Sequence, residues 1–311
     1  MRKSCLIVAG LVVFLGFVCV LVLGGWFVWS RFGKPAVELR PAQARSTMNE
    51  TGKRSELPWV DVRVLAARDG GAFAGWPLMV RVSVRCPQSS DTQEPKPIVI
   101  AGPAGSWHDA LKLSVEDAGG TSQQWLWHEP VAQPGPMMLD GQSGLEWVWW
   151  LTSEETQRIR PGKYTVKAVL DTSAATAAEA WKGTVSSRPS SLMLEASRQH
   201  TPQEETRKQI YTARVEALGG NNTAAIARLR MLTEREPKNV EGLALAAALL
   251  ADSGRLEESL DQYNRAIEAW YENDAEGKTE PVQLLQERRE VRIRLLAAEK
   301  PQGTVDPHQT P

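Results

Sequence analysis

Two triplets of alternating valine commit the first half of this chain to sheet. Val60, Val62 and Val64 are parted by Asp61 and Arg63, and Val80, Val82 and Val84 by Arg81 and Ser83. A period of two puts one set of side chains on each face of a strand, so each triplet predicts an apolar face turned to a core. Leu111, Leu113 and Val115 repeat the pattern, and Tyr164, Val166, Ala168 and Leu170 follow it. Further β-prone runs lie around 98–100, 125–127, 145–151 and 181–185. Turn signals at Asp69-Gly70-Gly71, Gly119-Gly120 and Asp140-Gly141 separate them. Seven or eight short strands within 59–188 predict an all-β sandwich. The Ala-rich stretch 172–180 competes as a short helix.

The segment LEWVWWLT (145–152) places Leu145, Trp147, Trp149 and Leu151 on one face and Glu146, Val148, Trp150 and Thr152 on the other. The first set is wholly apolar and is the expected core face. Of the three cysteines, Cys5 and Cys19 fall in the N-terminal apolar run, which leaves Cys86 alone in the body. No disulfide can join two sheets, so buried aromatics are expected to fill that space. One buried Trp removes about 150–250 Å² from water, an upper estimate of roughly 4–6 kcal/mol before opposing costs. Trp150 stays on the mixed face, covered by a loop or neighbouring domain or else offered as a surface aromatic. It is the candidate glycan contact, since sugar-binding platforms need exposed rings.

Ile159-Arg160-Pro161-Gly162-Lys163-Tyr164 precedes the alternating strand TVKAVLD. It resembles the corner before a late strand of immunoglobulin-like and fibronectin III-like sandwiches, which implies a Tyr164 hydroxyl tied to nearby backbone.

From Cys5 to Trp29 the chain carries no charge. Such a run gives about 37 Å of helix, more than a hydrocarbon core of about 30 Å and longer than the ~7–15 residues of a cleaved signal core. It predicts a transmembrane signal-anchor over residues 1–34, followed by a polar linker at 35–58. Arg2 and Lys3 close to the helix start, with Trp26, Phe27 and Trp29 at the far end, favour a cytoplasmic N-terminus. The expected localisation is a single-pass membrane protein whose body is periplasmic or extracellular.

After a linker at 189–201 the character changes. Trp gives way to Ala, Leu, Glu and Arg at helical spacing, and a 34-residue period emerges. With units at 206–239 and 240–273, Ala213 aligns with Ala247, Gly220 with Gly254, Ala225 with Ser259 and Leu229 with Tyr263. This resembles the tetratricopeptide repeat family across 202–299. Pro281 opens a further, capping helix. Glu216, Leu232, Ser259 and Tyr271 depart from the family pattern. The resemblance implies a protein-interaction module with its groove lined by the first helix of each unit. On that register Arg207, Ile210, Arg214, Glu241, Ala244, Ala248 and Asp252 face the groove. Residues 300–311 read as a disordered tail.

Charge and chemistry narrow the function. The 36 basic and 37 acidic residues leave a net charge of −1, which argues against a nucleic-acid partner. His108, His128, His200 and His308 show no metal-ligand spacing, and His108-Asp109 and His128-Glu129 would diverge on a strand. No phosphate-binding, dinucleotide or nucleophile-elbow motif is present. The expectation is a membrane-anchored, multi-domain and non-catalytic scaffold or assembly protein, with no cofactor, metal or catalytic residue. Its expected partner is another protein or peptide. A glycan-binding surface protein that uses the Trp-rich sandwich is the alternative.

Overall fold

In the computed structural model, the described residues are 58–65, 71–86, 97–131, 134–140, 144–274 and 279–299. They divide between Gln199 and His200 into two units. The first holds β1 (Trp59–Leu65), β2 (Gly71–Phe73), β3 (Leu78–Arg85), β4 (Ile98–Ile100), β5 (Leu111–Asp117), β6 (Ser122–Gln123), β7 (Met137–Leu139) and β8 (Gly144–Leu151). A one-turn helix α1 (Ser153–Gln157) follows, then β9 (Gly162–Asp171), β10 (Thr184–Ser186) and β11 (Ser190–Glu195).

The alternating valines pair as their pattern demands. β1 and β3 are antiparallel with Val62 opposite Val82, and β8 joins β3 with Trp149 opposite Val80 and Trp147 opposite Val82. This gives a sheet in the order β1-β3-β8. A second sheet runs β2-β11-β9-β5-β6, with β10 also pairing β9, and β4 and β7 form a separate pair. One core cluster draws Val60, Val62, Val80, Val82, Trp147 and Trp149 from the first sheet. It takes Leu111, Val115, Val166, Ala168, Leu170, Leu192 and Leu194 from the second. Two sheets therefore meet across a single interior, and Trp147 and Trp149 lie in it. Trp107 meets Trp147 edge-on with ring centroids 4.9 Å apart, an arrangement that suits the aromatic quadrupole.

Several local features differ from the sequence reading. The linker expected at 189–201 is in part strand: β11 lies between β2 and β9, parallel to the first and antiparallel to the second. Leu192 and Leu194 supply the buried face that requires it to be there. Residues 172–180 contain turns and no helix. Residues 125–127 are not a strand, because the Trp127 N–H bonds back to the Trp125 carbonyl at 3.0 Å. β8 ends at Leu151 because Thr152 caps α1. Its hydroxyl accepts from the Glu155 N–H, and its own N–H donates to the Glu155 carboxylate at 2.8 Å, a reciprocal capping box.

Gly102 sits against the 3-10 turn His108–Ala110. A Cβ there would come within 2.6 Å of the Asp109 Cβ and 2.7 Å of the Ala110 nitrogen. Gly102→Ala therefore costs about 1–3 kcal/mol through forced displacement of backbone, measurable as a lower denaturant midpoint of the β-unit.

The second unit is helical: α2 (Pro202–Leu218), α3 (Asn222–Arg235), α4 (Val240–Asp252), α5 (Leu256–Asn273) and α6 (Val282–Glu299). The first three starts have a chemical cause. Thr201 and Glu204 form a capping box with Pro202 in the first turn, and Asn221 and Asn239 cap α3 and α4 with their side-chain oxygens. Gly220 and Gly254 take positive φ of 81° and 76° at the α2–α3 and α4–α5 turns, a region that costs glycine little. These two turns lie 34 residues apart, as do the starts of α3 and α5. Ala213 and Ala247, Ala225 and Ser259, and Leu229 and Tyr263 are buried in equivalent places.

The expectation of a membrane-spanning helix, and of a single-pass localisation, is corrected. Among the described residues no helix is long and apolar enough to cross a membrane. α4 is the most apolar, yet its 13 residues reach only about 20 Å against a core of about 30 Å. α5 and α6 are longer but carry charges along their length. The signal-anchor at 1–34 and the tail at 300–311 lie outside the described residues, as does the 35–58 linker apart from Pro58.

Candidate interaction surface

Helical geometry sorts the outward residues of α2 and α4. On α2, Thr206, Ile210, Ala213 and Ala217 are buried and share one stripe. Arg207, Tyr211 and Arg214 form the neighbouring stripe, which is exposed or half-buried. Ile210, expected in the groove, thus belongs to the interior, and Tyr211 occupies the outward position beside Arg207. The physical reason is helical geometry: positions three and four residues on from Arg207 lie about 60° to one side of it and about 40° to the other, so either can share its face, and packing decides which one turns inward. On α4, Glu241, Ala244, Ala248 and Asp252 are half-buried along one line. Leu243, Ala247, Leu250 and Ala251 face inward.

The two stripes are neighbours in space. Arg214 reaches from α2 to Glu241 on α4 at 3.1 Å, and Arg294 on α6 donates to the Ala251 carbonyl of α4 at 2.9 Å. The first helices of the two hairpins and α6 therefore lie side by side. Ala244 and Ala248 carry only methyl groups, so the backbone of α4 is approachable between the longer side chains of its neighbours.

Polar pairs replace apolar contacts where the first hairpin departs from the repeat pattern. Arg228 on α3 donates twice to Glu216, at 2.6 and 3.0 Å, and once to Gln209 at 2.9 Å. Hydrogen bonding to Glu216 is the main cause that holds the Arg228 guanidinium above its ordinary range, against the opposing effect of burial. Ser259 is likewise satisfied, its hydroxyl donating to the Ala247 carbonyl at 2.8 Å. Tyr271 ends its helix exposed.

In the β-unit, Trp150 is only 5% exposed, so it is not a surface aromatic. The 125–131 segment covers it. His128 exchanges two backbone hydrogen bonds with Trp150, and its ring stacks on the indole at 5.9 Å and 23°. His128 is anchored by Glu155, 2.8 Å from Nε2, and not by the adjacent Glu129. His108 does meet its neighbour Asp109, at 3.2 Å, because both stand on a 3-10 turn where adjacent side chains need not diverge. Trp125 and Trp127 are half-buried, and their rings are tilted 44° from one another. A flat sugar face would find no coplanar pair there. Among the described residues, no group of three or more His, Cys, Asp or Glu side chains could hold a metal ion.

Glu155 links this cover to pH. Burial pushes its carboxyl up, but hydrogen bonds from the Thr152 N–H and hydroxyl, with His128 beside it, hold it net below the usual carboxylate range. The ionised form thus favours the folded state. That contribution is complete above the ordinary carboxylate pKa and is lost as pH falls through the depressed folded value. Glu155→Gln is expected to flatten the acid limb of the stability–pH profile while leaving neutral and alkaline slopes unchanged. Denaturant midpoints measured across acid pH check it.

No protein-family model matches the sequence, and no curated protein matches it. Among solved structures, a family 123 glycoside hydrolase from Clostridium perfringens is 9% identical with a TM-score of 0.26, over 47% of this chain and 29% of that one. The sporulation control protein of Bacillus subtilis is 12% identical with a TM-score of 0.26, over 52% of this chain and 55% of that one. A CARDB domain from Pyrococcus furiosus is 12% identical with a TM-score of 0.24, over 45% of this chain and 98% of that one. The chain spans about a third and about half of the first two proteins. Likenesses at this level carry no functional conclusion.

Proposed function

We propose that this chain is a non-catalytic protein-interaction protein, a scaffold or assembly factor that binds another protein or peptide through a tetratricopeptide-like helical unit. The observation that carries this reading is the 34-residue recurrence of hairpin turns, helix starts and buried small residues. It comes with the outward stripes of α2 and α4 set side by side through Arg214 and Glu241. Short stacked hairpins of this kind offer an extended face whose side chains vary freely while the interior fixes the helices.

In the same reading the β-unit is an immunoglobulin-like sandwich. Such sandwiches place strands A, B and E in one sheet and C, F and G in the other. Taking β1, β3 and β8 as the first set and β5, β9 and β11 as the second reproduces the observed neighbours. The Tyr164 hydroxyl donates to the Arg160 carbonyl, the tie that the corner motif implies. Glycan binding has weaker support, because Trp150 is covered and Trp125 and Trp127 are tilted.

Capture on the immobilised full chain tests the reading. The doubly substituted Ala244→Arg, Ala248→Arg protein is expected to lose a partner that the parent chain and a Trp127→Ala variant both retain. Undiminished capture by the double variant, with its helical circular dichroism intact, overturns the proposal.

A further inference from the structure

α6 is apolar on two opposite faces, and among the described residues only one of them is packed. Leu284 and Val291 are buried against the rest of the helical unit. On the other side Val282 is 54% exposed, Ile293 56% and Leu296 53%. At 3.6 residues per turn, Val282, Gln286, Arg289, Ile293 and Leu296 fall within one narrow arc, about 21 Å long, with half-buried Leu285 at its edge. A helix with two apolar faces belongs between two layers, and among the described residues no second layer covers this one. Arg289 and Arg292 are exposed at the middle and flank of the stripe. Neither makes a hydrogen bond or an ion pair among the described residues, whereas Arg288 bonds Asn264 and Arg294 bonds the Ala251 carbonyl.

We infer that this stripe is a docking site for an amphipathic helix of another protein. That helix has apolar residues facing both ends of the stripe and a carboxylate between them that meets Arg289. Charge selects this occupant over the others. Two copies of α6 packed antiparallel about a two-fold axis, with Val282 against Leu296, would set Arg289 directly against its own copy, a like-charge contact that opposes association. The chain's own terminal segments do not supply the acid in an apolar setting. Residues 5–29 carry no charge; 30–57 contain Glu38, Glu50 and Glu56, but none of these has a large apolar residue at helical spacing on both sides; and 301–311 contain Asp306 but have valine as their one large apolar residue and three prolines. A lipid surface would want a broader apolar face with cations along both of its borders.

This inference rests on the reading of the helical unit as an interaction module and names the partner chemistry of a second surface on it. The α6 stripe is separate from the α2 and α4 stripes, so the two can fail independently. The probe is a helical peptide whose leucines match the spacing of Val282, Leu285, Ile293 and Leu296 and whose glutamate matches Arg289. Its anisotropy is followed on titration with the full chain. Binding is expected to weaken about tenfold or more for Arg289→Glu and to recover when the peptide glutamate is changed to lysine. Ile293→Asp, a change at a solvent-facing position that circular dichroism can certify as folded, should abolish it. The Ala244→Arg, Ala248→Arg chain should bind the peptide as the parent does. Equal binding of the glutamate and lysine peptides by the parent chain overturns the inference. So does parent-chain binding to phosphatidylserine vesicles that Ile293→Asp removes, or self-association of the chain that Ile293→Asp removes. Loss of peptide binding in the Ala244→Arg, Ala248→Arg chain but not in Ile293→Asp would also overturn it, while leaving the α2 and α4 surface in place.

Discussion

Trp147→Ala is expected to lower the unfolding free energy of the β-unit by about 3–5 kcal/mol, the range for truncating a large buried aromatic. Trp147 is among the largest fully buried side chains. It packs edge-on against Trp107 at 4.9 Å and against Trp149 at 6.4 Å. Removing it empties the middle of the interior and strips both of these contacts together with a stack on the His108 ring at 6.3 Å, in a domain whose one described cysteine, Cys86, is free. Trp147→Phe keeps most of the area and should cost clearly less. Denaturant titration, followed by the fluorescence of the remaining tryptophans, gives the comparison. A loss below about 1 kcal/mol would mean that the sheets close readily over the vacated space.

In the helical unit, Tyr263→Ala is expected to cost a similar amount, about 3–5 kcal/mol. Tyr263 on α5 is fully buried within the cluster that also holds Leu243 and Ala247 of α4 and Leu284 and Val291 of α6. Its hydroxyl reaches the Glu287 carboxylate on α6 at 3.0 Å. One side chain thus joins three helices through its ring and two through its oxygen. Tyr263→Phe separates these roles, with an expected cost of about 0.5–1.5 kcal/mol for the hydrogen bond alone. Thermal unfolding followed in the far ultraviolet reads both. Equal losses for the two variants would assign the effect to the Glu287 carboxylate and not to packing.

Much of this architecture is legible in the residues because burial writes a period into the sequence. β1, β3, β5, β8 and β9 each have one face in the core, so alternation marks them. β2, β6 and β7 are two or three residues long, too short for any period to register. β11 does alternate, Leu192 and Leu194 against Met193 and Glu195, but serines and Pro189 before it read as a connection. The 125–127 run is rich in β-prone Trp, yet its tryptophans pack down from an irregular segment, since ring burial does not require a ladder. In the helical unit, the 34-residue period locates the α2–α3 and α4–α5 turns because glycine is needed there, where φ is positive. It does not set the rotation of α2 about its axis, so Ile210, expected in the groove, turns inward. That Trp150 could lie under a loop is legible from its place on the mixed face, but which segment covers it is not. It depends on His128 meeting Glu155, a pairing between segments 27 residues apart that no local pattern encodes.

The place of β11 has a consequence for synthesis on the ribosome. It stands between β2, near the beginning of the β-unit, and β9, so the second sheet has a gap until residues 190–195 have emerged. During that interval β2 and β9 present unpaired edges to other nascent chains. A fragment ended at Arg188 would keep those edges permanently and is expected to aggregate. The helices from Pro202 onward close mainly through neighbours in sequence and have no such wait. The sheet thus becomes complete only just before the helical unit begins to appear.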